Sequence, residues 1–156
     1  TKTISIKTMI RKATINDLEE LCIIEKLCFK EERYSKAFLL HLLESPDVCS
    51  LVFEENKRIV GSVIISFHRN TCRIISIAVH PLCRKKGVGK KLLASAEEKA
   101  QQLNIKNIVL EVSTKNRDAI NFYLSNKYKI DHVIENYYGI GRDAYRMRKN
   151  LGELTD

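Results

Sequence analysis

The apolar residues of this chain change period several times, and each change marks an element. After Thr14 a helix carrying Leu18, Leu21, Cys22, Ile24 and Glu25 is expected, with Thr14 and Asp17 forming a capping-box-like start. A short strand, Met9 to Ala13, precedes it, and a second helix is expected from Ser35. The stretch between them, Phe29-Lys30-Glu31-Glu32-Arg33-Tyr34, has no period and reads as a charged loop flanked by aromatics. Three strand-like runs follow at 48–54, 59–67 and 73–79, separated by the turns Glu55-Asn56-Lys57 and His68-Arg69-Asn70, which predicts an antiparallel meander, and the β-branched richness of 74–79 predicts a buried strand there. Helical spacing returns with Val88, Leu92, Leu93, Ala96, Ala100 and Leu103. A strand at 107–112, a helix from about 116 to 125 and strands near 128–134 and 144–149 complete the pattern. The order β-α-α-β-β-β-α-β-α-β-β predicts an α/β fold: a mixed, mostly antiparallel sheet of about seven strands with helices on both faces.

Composition narrows the classes. A length of 156 residues suits a single domain over 1–156, and no linker, repeat or low-complexity tract interrupts it. No apolar run approaches the ~20 residues that span a bilayer, and the start Thr1 to Lys7 lacks the apolar centre of a signal peptide, so a cytoplasmic protein without a membrane partner is expected. The five cysteines are scattered and the four histidines form no metal-binding pair; no disulfide framework and no metal are expected, and the cysteines read as small core fillers. Net charge is +8, of which residues 84–91 supply +5. Charge focused at one site suits a polyphosphate ligand better than nucleic acid, which asks for a broad basic face, and no specific nucleic acid is expected.

That focus reads Arg-Lys-Lys-Gly-Val-Gly-Lys-Lys, at the point where the apolar run 74–79 gives way, past Pro81, to a helix. Unpaired N–H groups at a helix start favour an anion, and Gly87 and Gly89 let phosphate oxygens approach the main chain. A Walker loop is excluded, because it needs glycine at 84 and Ser or Thr at 91, where Arg84 and Lys91 stand. A dinucleotide fingerprint is excluded by Leu92 in place of its third glycine. A basic helix start on a solvated surface would read the same way, so six residues alone do not decide.

The pattern Arg84 to Gly89, Arg-x-x-Gly-x-Gly, resembles the pyrophosphate loop of the GNAT family of N-acetyltransferases, and the order of elements is that family's order. Four further stretches are similar to its RimI-type branch, the bacterial ribosomal-protein alanine acetyltransferase and the catalytic subunits of N-terminal acetyltransferases. They are Ile77 to Pro81, Leu110 to Asn116, Ala119 to Tyr123, and Asn136-Tyr137-Tyr138 with Asp143 to Met147. The likeness covers nearly the whole chain and is weakest over its first thirty-odd residues.

The resemblance implies acetyl-CoA as cofactor, with CoA as product, and direct transfer without an acyl-enzyme. It implies that Gly87, Val88, Gly89 and Lys90 bind pyrophosphate through backbone N–H groups, with Arg84, Lys85 and Lys86 adding charge. It assigns the backbone of Ile77, Ala78 and Val79 to the pantetheine arm, the Val79 N–H to the developing oxyanion, and Asn116 to a pantetheine contact beside the helix N-cap role that its position suggests. Glu111 is a carboxylate in a run apolar enough for a central strand; a strand-end salt bridge or a general base at the strand's C-terminal end would each explain it, and the resemblance favours the base. Tyr123 reads as a core aromatic by spacing, whereas the resemblance makes it the proton donor to the leaving thiolate. Phe29, Glu31, Glu32, Tyr34, Tyr137 and Tyr138 are candidate walls for the substrate, although Glu-Glu-Arg-Tyr departs from the proline-containing pattern common in the branch.

An N-terminal α-amine costs about 1 kcal/mol to deprotonate at pH 7 and a lysine about 4.6 kcal/mol, so one glutamate base is better matched to the α-amine. The expected activity is acetylation of protein or peptide N-termini, with a ribosome contact among the partners the branch suggests. Lysine or small-amine acetylation by the same apparatus, and a non-catalytic CoA- or RNA-binding module, are the alternatives.

Overall fold

The computed structural model describes residues 6–152. Residues 1–5 of the start, inspected above for a signal peptide, lie outside the described residues. The elements are β1 (Thr8–Lys12), α1 (Leu18–Phe29), α2 (Lys36–Glu44), β2 (Val48–Glu55), β3 (Arg58–His68), β4 (Thr71–Val79), α3 (Val88–Gln102), β5 (Asn107–Ser113), α4 (Arg117–Ser125), β6 (Lys129–Ile134) and β7 (Ala144–Asn150). This is the order expected from the sequence. Single 3₁₀ turns at Ile15–Asp17, Lys30–Glu32 and Pro81–Cys83 were not anticipated. The strands form a seven-stranded sheet in the order β1-β2-β3-β4-β5-β7-β6. β1/β2, β5/β7 and β6/β7 are antiparallel, and β4/β5 is parallel. The parallel pair requires a crossover, which α3 supplies.

The chain divides into two compact units, the first made of residues up to 65 with 76–95, the second of 66–75 with residues from 96 onward. In the first, Ala13, Leu21, Ile24, Val52, Ile59 and Ala78 form a buried cluster, against which Cys28, Phe29 and Leu43 pack. Arg11 ties this unit's start together: its terminal nitrogens reach both Asp17 oxygens at 2.8 Å and its Nε reaches Glu54 at 2.8 Å. The guanidinium holds the Asp17 carboxyl below its ordinary range against the opposing effect of burial, and the Thr14 N–H, donating to Asp17 at 2.7 Å, acts in the same direction. Asp17 thus anchors the opening turn, as the capping pattern predicted.

Gly61 on β3 has a packing reason that the sequence concealed. A Cβ there would lie 2.9 Å from Leu92 Cδ1, 3.0 Å from Val88 Cγ1 and 3.1 Å from the Ala78 carbonyl oxygen. Only glycine lets α3 begin this close to β3 and β4.

In the second unit Ile108, Leu110, Tyr128 and Met147 are almost wholly buried. Glu97 on α3 holds Lys149 of β7 at 2.8 Å and accepts from the Tyr128 hydroxyl at 3.4 Å. β4, whose richness in isoleucine suggested a buried strand, alternates instead: Cys72, Ile74, Ser76 and Ala78 are buried, while Ile75, Ile77 and Val79 are half-buried. The expectation of core-filling cysteines holds fully for Cys72 alone; the other four are half-buried. No helix of the described residues is long and apolar enough to cross a membrane.

Candidate active site

The expected anion cradle lies in the first unit. Gly87 has φ +83°, a conformation L side chains rarely adopt, and an added Cβ would meet nothing within 4 Å. Glycine is therefore required here by backbone conformation, and the space beside it is open. Val88 is buried at 4% exposure, which anchors the helix start through its side chain, while Arg84, Lys85, Lys86, Gly87 and Lys90 are exposed and Gly89 is half-buried in the first turn. The open glycine, the helix N-terminus and the exposed cations fit a pyrophosphate group.

Two of the five cations have a second engagement. Lys91 lies 6.0 Å over the Phe53 ring, and the Arg84 Nε donates to the Val79 carbonyl at 3.2 Å. The Cys28 thiol donates to the same carbonyl at 3.3 Å. Burial pushes that thiol up, with Arg84 opposing, so Cys28 is held as a donor rather than as a nucleophilic thiolate. Ile77, Ala78 and Val79 occupy the last turns of pleat in β4, with Ala78 facing the core and its neighbours half-buried.

Of the predicted substrate residues in this unit, Phe29 packs against the core cluster. Glu31 and Glu32 lie in the 3₁₀ turn that closes α1, and the Tyr34 ring stacks on Phe38 with centroids 4.9 Å apart. The Tyr34 N–H donates to Glu25 at 3.2 Å.

The predicted catalytic residues lie in the second unit. Glu111, near the end of β5, has a side chain only 3% exposed. Its Oε1 is 2.5 Å from an Arg73 terminal nitrogen and accepts from the Tyr137 hydroxyl at 3.1 Å. Its Oε2 is 3.2 Å from the Arg146 Nε, too poorly aligned for a hydrogen bond, and both atoms are buried without a hydrogen-bond partner. Glu111 is thus an ion-paired strand carboxylate, and it is linked through the Tyr137 phenol to the exterior.

Tyr123 on α4 is 6% exposed, with its ring edge-on to Phe122 at 5.4 Å and to Tyr128 at 5.8 Å. Burial pushes its phenol well above the ordinary tyrosine range, and Tyr138 adds to the push, so the hydroxyl keeps the proton a general acid must hold. Tyr138 in turn meets Tyr137 edge-on, centroids 4.9 Å apart. Glu111 and Tyr137 are joined by the hydrogen bond and Tyr137 and Tyr138 by their rings, and the loop that carries the two tyrosines is pinned by Asn136: its N–H donates to Asp143 at 2.8 Å and its side chain accepts from Gly141 at 2.9 Å. Asn116 is the N-cap of α4, accepting from the Ala119 N–H at 3.2 Å.

Arg73, Arg146 and Glu25 were given no role by the sequence, although Glu25 was placed on the first helix and Arg146 in the stretch Asp143 to Met147. Arg73 could have been noticed as a charge inside an apolar strand. Arg146 could not, because it meets Glu111 only through the β5/β7 register, which places the two residues opposite each other. Among the described residues no group of three or more His, Cys, Asp or Glu side chains could hold a metal ion.

The chain is 36% identical over 148 residues to the N-terminal acetyltransferase A complex catalytic subunit NAA10 of Arabidopsis thaliana, covering 91% of this chain and 77% of that one. The crystal structure of Ard1 from Thermoplasma volcanium superposes with a TM-score of 0.87 at 28% identity, over 94% of this chain and 99% of that one. The ribosomal-protein-S18-alanine N-acetyltransferase of Escherichia coli shares the fold, with a TM-score of 0.85 at 20% identity over 96% and 97% of the two chains. Residues 16–127 match the model of the acetyltransferase (GNAT) family, and the chain belongs to that family.

Proposed function

We propose that this acyltransferase moves the acetyl group of acetyl-CoA to the α-amine of protein or peptide N-termini, with Glu111 as general base and Tyr123 as general acid. The observation that carries the reading is the environment of Glu111, a carboxylate withdrawn from water near the C-terminal end of β5 yet hydrogen-bonded to an exposed phenol. The similarity to a protein named as an N-terminal acetyltransferase catalytic subunit supports the α-amine as acceptor.

When bound, acetyl-CoA supplies an acetyl group already activated as a thioester. Gly87, Val88, Gly89 and Lys90 would hold its pyrophosphate by backbone N–H groups, with Arg84, Lys85 and Lys86 adding charge. Ile77, Ala78, Val79 and Asn116 are the proposed pantetheine contacts. Glu111 receives the proton that the neutral amine loses as it attacks the thioester. Tyr123, protonated because it is buried, gives its hydroxyl proton to the departing sulfur. Tyr34, Tyr137 and Tyr138, with Glu31 and Glu32, are the proposed contacts to the first residues of the peptide.

The test is acetyl transfer to short peptides with a free N-terminus, using N-terminally blocked lysine peptides as controls and mass spectrometry of the product. Acetate on the α-amine is expected. Acetate mainly on lysine side chains would overturn the choice of amine.

A further inference from the structure

We propose that Tyr137 is a catalytic residue, which relays the proton from the substrate amine to Glu111. The inference rests on the reading of Glu111 as the base and specifies how that base is reached. The Glu111 side chain is 3% exposed, so an amine in solvent contact cannot approach the carboxylate as it stands. Three groups cap it: Arg73 and Tyr137 at Oε1, Arg146 at Oε2. A guanidinium has donors only and does not give up its proton in proteins, so neither arginine can pass a proton inward. A phenol both donates and accepts. Tyr137 is 38% exposed and its hydroxyl already donates to Glu111 Oε1 at 3.1 Å. Arg73 donates to that same phenol oxygen at 2.8 Å, so negative charge developing on it meets a cation.

The step balances. As the amine lone pair forms the C–N bond, an amine proton passes to Tyr137 Oη and the Tyr137 proton passes to Glu111 Oε1. The phenol ends neutral and the carboxyl ends protonated. After product release the same two transfers run in reverse, returning the proton to solvent and restoring the carboxylate. The role belongs to the hydroxyl and is distinct from the peptide contact proposed for the ring, which Tyr137→Phe keeps, so the kinetics separate the two.

Tyr137→Phe keeps the ring and removes the relay. It should lower kcat on the order of 10²-fold, with KM for the peptide and CoA affinity unchanged. Glu111→Gln should lower kcat similarly, and the double variant no further than either alone, since both act on one proton. In mixed light and heavy water, with chemistry rate-limiting, the wild-type rate should curve with deuterium fraction, as several protons in flight require, and the curvature should lessen in Tyr137→Phe, which lacks the relayed proton. A Tyr137→Phe variant with raised KM and intact kcat, or a double variant whose loss is the product of the single losses, would overturn the relay. Should Tyr137→Phe fail to fold, 3,5-difluorotyrosine at 137 keeps the shape and changes the acidity; an unchanged kcat there overturns the relay too. The two readings fail separately: intact kcat in Glu111→Gln removes the base itself, whereas a slow Glu111→Gln beside a fast Tyr137→Phe removes only the relay.

Discussion

Glu25 and Ser76, 51 positions apart, share a hydrogen bond of 3.1 Å in the interior of the first unit. The same carboxylate accepts from the Tyr34 N–H at 3.2 Å, so one side chain on α1 ties the end of the 29–34 loop to β4. Its residue is 4% exposed. Burial pushes its carboxyl above the ordinary range, more than the two hydrogen bonds pull it down.

That direction sets a pH dependence. A carboxyl raised in the folded state binds more protons there than in the unfolded chain, so its contribution to stability is fully present below the unfolded value and is lost as pH rises through the folded one. Glu25→Gln, which cannot ionise, should flatten the stability profile in that window and gain on the wild type above it. Urea unfolding of both proteins over a pH series reads the difference; parallel curves would show that Glu25 is not the responsible group.

Gly61→Ala should destabilise the fold. The added methyl meets the Ala78 carbonyl and the side chains of Val88 and Leu92 at 2.9–3.1 Å, and overpacking of this kind costs about 1–3 kcal/mol. Denaturant unfolding measures it, and an unchanged midpoint would show that the helix start yields freely.

At Gly87 the obstacle is conformation rather than space. Gly87→Val forces a β-branched residue to φ +83° and fills the open volume beside the helix N-terminus, so CoA affinity by calorimetry should fall at least tenfold. Lys129→Ala, an exposed lysine on β6, serves as control and should leave affinity unchanged. Equal losses at the two positions would remove the pyrophosphate assignment.

Tyr123→Phe should preserve the aromatic packing on Phe122 and Tyr128 while deleting the proposed proton donor. We expect unchanged CoA affinity and a kcat lower on the order of 10²-fold when chemistry limits the rate. Unchanged turnover under those conditions would leave Tyr123 as a core aromatic only.

The sequence by itself determined the elements and their order, because hydrophobic period, caps and turn residues are local properties. The helix start at Ser35 and the cap at Asn116 were legible, and both side chains accept the backbone N–H three residues on. The glycine loop was equally legible, since φ at Gly87 and the helix start after it depend on neighbours in the chain. The surroundings of Glu111 were not. Arg73 and Arg146 reach it from two other strands, and which residues of those strands oppose β5 is decided by register, which depends on how whole faces pack. The burial of Glu25 was hidden for the same reason. A glutamate on an amphipathic helix reads as solvated until Ser76 and the Tyr34 N–H, distant in sequence, are folded against it and replace its water.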